Sequence, residues 1–120
     1  IIVSSPTGST AYNLAAGGPI LHPTLPAVVV TPICPHMLTN RPLVVGDEAR
    51  VEVRLRASRD VDVYAALDGQ ETFAFADGDH VVVTGSPRRL KLVKAPGRDY
   101  YEVLRTKLKW GEAGAPPRRS

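Results

Sequence analysis

The sequence holds one cysteine, Cys34, in 120 residues. A lone thiol excludes an internal disulfide framework and suits a reducing, cytoplasmic setting. Between Ile33 and Pro35 it reads as a small apolar filler. Long apolar runs are missing as well. Nothing approaches the roughly 20 residues that span a bilayer, so no membrane partner is expected. No basic region followed by an apolar block opens the chain, and no export signal is legible. Aromatic residues make up 6% of the chain. With little aromatic interleaving before Tyr100, base stacking finds no support and no nucleic-acid partner is expected. His22, His36 and His80 have no Cys or His beside them at metal-ligand spacing, so no metal site is expected. Asp77-Gly78-Asp79 lacks the further oxygen ligands of a calcium loop. Ser4, Ser5 and Ser9 sit in no Gly-x-Ser-x-Gly elbow, so nothing marks a serine hydrolase. No internal repeat of useful length is present.

What is present is ordinary for a globular chain: 43% apolar and 22% charged residues. A chain of this length forms one core and buries roughly 60–70% of the surface it exposes unfolded. The net charge of +3 conceals an asymmetry. Residues 1–87 carry five Arg against nine acids, and residues 88–120 carry ten Lys and Arg against three acids. Such a basic end attracts polyanions in principle; the simpler reading is a solvated surface with a frayed tail.

Ile1 to Ser5 is short and β-branched and reads as a buried strand. Pro26 to Thr31 is a second apolar run, whose Val-Val-Val core suits a strand covered on both faces. Pro32 to Pro42, with three prolines, describes an irregular loop. From Gly46 the apolar period becomes two. Val51, Val53 and Leu55 alternate with Arg50, Glu52, Arg54 and Arg56, and Val61 to Leu67 repeats the pattern. Asp68-Gly69 supplies a two-residue hairpin turn into the strand of Phe73 and Phe75, and Asp77-Gly78 turns into His80 to Thr84. Arg89 to Val93 is predicted as a last strand. Short strands at this spacing argue for a mainly β, antiparallel sandwich. Tyr101, Leu104 and Leu108 then fall at helical spacing, which predicts an amphipathic helix from Tyr101 to Lys109. Residues 111–120 read as a disordered tail.

One stretch breaks this pattern: Ser4 to Pro23, SSPTGSTAYNLAAGGPILHP. Pro6 fixes φ, Gly8 permits close backbone approach, and Ser9 or Thr10 can cap the helix favoured by Ala11, Leu14, Ala15 and Ala16. Gly17, Gly18 and Pro19 end it. A helix opened by such a turn offers backbone donors to an anion such as a phosphate.

Read residue by residue, that stretch resembles the second signature of the NAD kinase family. Thr31 to Val45 (TPICPHMLTNRPLVV), Leu67 to Gln70 (LDGQ) and Leu104 to Gly111 (LRTKLKWG) agree with the family in the same order. Four ordered matches across nearly the whole chain are far more specific than one Gly-rich turn. The resemblance implies the C-terminal, NAD-binding β-sandwich domain, here residues 1–110, of a two-domain enzyme that phosphorylates the 2′-hydroxyl of the NAD adenosine ribose. It implies NAD contacts by Thr10, Ala11, Tyr12, Asn13, Leu14 and Ala15, with Thr7 at the adenine side, and by Gln70. Tyr12 suits a nucleotide because it offers both a ring face and a hydroxyl. Asp68 stays a turn residue. ATP or polyphosphate with a divalent cation such as Mg²⁺ is the implied donor, and a homodimer or homotetramer is implied because sandwich domains meet in this family.

The family's Gly-Gly-Asp-Gly motif, which carries the catalytic aspartate, is not in this sequence, and neither is its Asn-Glu motif. With Ile1 in place of Met, the expectation is a fragment that lacks the N-terminal α/β domain and the opening strands of the sandwich and has no catalytic residue of its own, inactive alone. Two other readings stand beside this one. One is a relative of the diacylglycerol or sphingosine kinases, which pair a similar N-terminal domain with a β-sandwich. The other is a non-catalytic module that binds polyanions or oligomerises through its basic end.

Overall fold

The Val-rich run read as a central strand is the spine of the fold. In the computed structural model, which describes residues 1–37, 39–57 and 61–111, β2 (Ala27–Thr31) lies between β1 (Ile2–Ser4) and β3 (Leu43–Gly46) in an antiparallel sheet. Ser4 and Val44 face Val29 from either side, and Ile2 pairs with Thr31. Val29 and Thr31, two apart and so on one face, are buried, while Val28 and Val30 on the other are half-buried. β2 is thus packed mainly on one face, where its run of valines suggests two.

Four further strands make two antiparallel pairs. β4 (Val51–Arg54) pairs with β7 (His80–Val83), and between them in sequence β5 (Val63–Leu67) folds back on β6 (Glu71–Phe75). The alternation in β4 is the expected one, with Val51 and Val53 half-buried and Glu52 and Arg54 in solvent. On that solvent face Glu52 accepts from Arg54 at 2.8 Å and from Arg50 at 2.9 Å. At the β5–β6 turn Asp68 (φ 52°) and Gly69 (φ 67°) both adopt positive φ, and Gln70 N–H closes the turn on Leu67 O at 3.0 Å. This is the primed hairpin geometry that the Asp-Gly pair favours. Asp77 and Asp79 use their carboxylates on backbone: Asp77 accepts from Ala57 N–H at 2.9 Å and Asp79 from Ala76 N–H at 2.8 Å. The fold class is therefore the predicted one, mainly β and antiparallel with few helices.

Three local features differ from expectation. β3 begins directly after Pro42, in a stretch where Leu43 and Val44 are exposed and show no alternation. Its pairing with β2, a non-local cause, makes it a strand. Arg89 to Val93 forms no strand, and Leu90, Leu92 and Val93 are exposed. The alternation there has no described ladder to fix it. The third difference lies in the helix after Arg98, which runs over Tyr100–Leu108 (α2) and ends at Lys109 in the left-handed region. Its inward row is Tyr100, Leu104 and Leu108, four residues apart, and Tyr101 is exposed, its ring edge-on to Tyr100 at 5.4 Å.

The chain divides into two compact units, Ile1–Pro87 and a basic unit beginning at Arg88 that contains α2. Of the expected tail, only Gly111 lies within the described residues.

Candidate functional site

Between β1 and β2 the chain builds a corner. Thr7–Thr10 forms a single 3-10 turn, and Tyr12–Ala15 a one-turn helix, α1. Ala11, with φ −99° and ψ −128°, stands between them outside the helical region. The single helix expected here is therefore two short pieces, too short for a strong macrodipole. Neither Ser9 nor Thr10 caps α1, which starts without a side-chain cap bond. Ser9 instead donates to Pro6 O at 2.6 Å, and the Thr10 hydroxyl donates to Thr7 O at 3.4 Å.

The end of α1 follows sequence logic closely. Gly17 takes φ 83°, its N–H donates to Leu14 O at 3.0 Å, and Gly18 N–H donates to Asn13 O at 2.9 Å. These two bonds are the paired closure of a glycine-terminated helix.

Beneath the corner lies an unusual core. Among the described residues the largest fully buried side chains are Val29, Asn13, Thr31 and Ser9, so hydrogen bonding decides its geometry as much as apolar contact does. The Asn13 amide donates to Ser9 O at 2.9 Å and to Pro19 O at 3.0 Å, and its Oδ1 accepts from the Thr31 hydroxyl at 2.6 Å. Ser9 Oγ accepts from Leu21 N–H at 2.9 Å. One asparagine thus ties the 3-10 turn, the Gly-Gly-Pro exit and the end of β2 together. A buried polar group left without its partner costs about 1–3 kcal/mol, so this set is stable only when complete.

The residues expected to meet the dinucleotide separate into two groups. Thr7, Ala11, Tyr12 and Ala15 are exposed on the outside of the corner, Tyr12 at 64%, and Thr10 and Leu14 are half-buried beside them. Asn13 points the other way, with both amide hydrogens spent on backbone carbonyls. Gln70 is exposed at the tip of the β5–β6 hairpin, on a strand pair that shares no ladder with the sheet carrying the corner. Sequence reasoning passed over Ser9, Leu21 and Thr31 as a set. The available signal was Thr31 itself, a hydroxyl in phase with Val29 at the end of a valine run.

His22 sits on the exit loop, where its Nδ1 lies 2.8 Å from Thr24 Oγ1 and accepts from Thr24 N–H at 3.3 Å. Among the described residues no group of three or more His, Cys, Asp or Glu is placed to hold a metal ion, and no helix is long and apolar enough to cross a membrane.

An antiparallel domain whose first β-β connection is a glycine-closed corner with an exposed tyrosine defines a class that the comparisons make specific. Residues 1–95 match the family model of the ATP-NAD kinase C-terminal domain, and the chain belongs to that family. It is 54% identical over 112 residues to the NAD kinases of Syntrophotalea carbinolica and Geobacter sulfurreducens, and 51% identical to that of Geotalea daltonii. In each case the match covers 93% of this chain and 39% of the relative. Among solved structures it resembles yeast NADH kinase complexed with NADH, with a TM-score of 0.80 and 26% identity, covering 95% of this chain and 36% of that one.

Proposed function

We propose that this chain is the dinucleotide-holding domain of an NAD kinase, which moves the terminal phosphoryl group of ATP or polyphosphate to the 2′-hydroxyl of the NAD adenosine ribose. The observation that carries the reading is the outward presentation of Thr7, Ala11, Tyr12 and Ala15 on a corner whose inner side is locked. Tyr12 offers a ring face and a hydroxyl to the adenosine half of NAD. Thr7 and Thr10 add hydroxyls, Leu14 apolar contact, and the small side chains of Ala11 and Ala15 let the ligand approach the backbone. Gln70 contributes an amide that both donates and accepts, on the separate hairpin. The comparison with NADH-bound yeast NADH kinase supports a pyridine dinucleotide as the ligand.

In this reading the chain orients its substrate and does not move the proton. Phosphoryl transfer depends on aligned oxygens, and alignment accounts for several kcal/mol of barrier lowering. The base belongs to a Gly-Gly-Asp-Gly aspartate outside this sequence, so the chain alone is inactive. A divalent cation such as Mg²⁺ belongs with the phosphoryl donor, whose charge it spreads. A homodimer or homotetramer in the cytoplasm completes the proposal. Association of copies is supported by half-exposed Leu67 and Phe73 on one face of the β5–β6 pair.

Titration of NAD into the protein that carries this chain tests the reading. Tyr12→Ala is expected to weaken NAD binding at least about tenfold, the loss of a stacked and hydrogen-bonded ring. An unchanged affinity would sink it.

A further inference from the structure

The side chain expected to touch the dinucleotide at position 13 is the one the fold has buried. Asn13 is 1% exposed and Thr31 is fully buried. Asn13 has two donors, both given to backbone oxygens of the corner, and an oxygen that accepts from Thr31 at 2.6 Å. Neither side chain has a donor left for a ligand. Yet the backbone of Asn13 follows directly on Ala11 and Tyr12, and a one-turn helix cannot hold its own conformation in water. What holds it is the set of Asn13 side-chain bonds, and the one from Thr31 anchors that set to β2, the central strand of its sheet.

We infer that Thr31 and Asn13 are positioning residues for the dinucleotide site: the Thr31 hydroxyl fixes the Asn13 amide, and that amide fixes the backbone presenting Ala11 and Tyr12. This rests on the dinucleotide reading of the corner. Thr31 lies 19 residues after Tyr12 in sequence and on the buried face of its strand, so it acts entirely through Asn13. Losing its hydroxyl orphans Asn13 Oδ1, and the corner relaxes by rotating the amide toward another donor. Small displacements of a positioned ligand group are costly, up to about 100-fold for about 1 Å.

The test compares Thr31→Ser with Thr31→Ala in the intact enzyme. Both remove the methyl and only the second removes the donor. Thr31→Ala is expected to raise the KM for NAD roughly tenfold over Thr31→Ser, with the KM for ATP unchanged in both. A purely structural role would lower the active fraction, and so kcat, leaving the NAD KM in place. Equal NAD KM values for the two variants overturn the inference. Where Thr31→Ala does not fold, the isosteric Thr31→Val is compared with wild type instead, since it removes the donor and keeps the volume. Tyr12→Ala is run in parallel. If it shifts the NAD KM while the Thr31 pair does not, only the positioning role is lost. If it leaves the NAD KM unchanged, the dinucleotide reading falls and this inference with it.

Discussion

The backbone of Gly18 runs against the side-chain amide of Asn13 so closely that a Cβ there would fall on Asn13 Oδ1. Gly17, its neighbour, has open space around it and is a glycine for another reason, its φ of 83°. The two positions separate by substitution. Asn tolerates the left-handed region, so Gly17→Asn is expected to cost less than about 1 kcal/mol. Gly18→Ala forces the Asn13 amide out of its bonds and is expected to cost about 1–3 kcal/mol. Thermal or urea unfolding of the two variants checks the order. Equal losses would mean that the Asn13 contact does not constrain the chain.

Gln70 is exposed at a hairpin turn whose closing bond uses its backbone N–H and not its side chain. Gln70→Ala therefore leaves the turn bond intact, and its effect on stability is expected to stay within about 0.5 kcal/mol. If the amide meets the dinucleotide, NAD affinity falls by about fivefold or more, the loss of roughly one hydrogen bond to a ligand. Calorimetric titration beside a melting curve reads both quantities. Loss of stability without loss of affinity would remove Gln70 from the site.

How much of this could be read from the chain follows from what is local. The Asp68-Gly69 turn, the Gly17 helix stop and the alternation of β4 are each fixed by residues within a few positions, and all three appear as expected. β3 was not legible, because Leu43 and Val44 are exposed and only the ladder with β2 makes them a strand. Arg89 to Val93 erred in the opposite direction: an alternating pattern without a described ladder stays irregular. At the site, the motif located the corner but not which way each side chain faces. The break at Ala11 turns Tyr12 outward and leaves Asn13 inward, and that follows from an 18-residue separation between Asn13 and Thr31 that no short motif encodes.

The last prediction concerns acid. Hydrogen bonds from Arg54 and then Arg50 hold the Glu52 carboxyl at a pKa of about 2, below its ordinary 4.5. A carboxylate with a depressed folded pKa stabilises the protein only while ionised. Its contribution is complete above about pH 4.5, declines as the pH falls and is gone below about pH 2. Wild type and Glu52→Gln are therefore expected to differ by a constant, small amount from neutral pH down to about 4.5 and to converge below it. The trio faces solvent, so high salt should shrink the difference throughout. Urea unfolding across this range at low and high salt checks the trend, and an NMR titration of the Glu52 carboxyl checks its cause. A midpoint near 4.5 would show that the two arginines do not hold the carboxylate in solution.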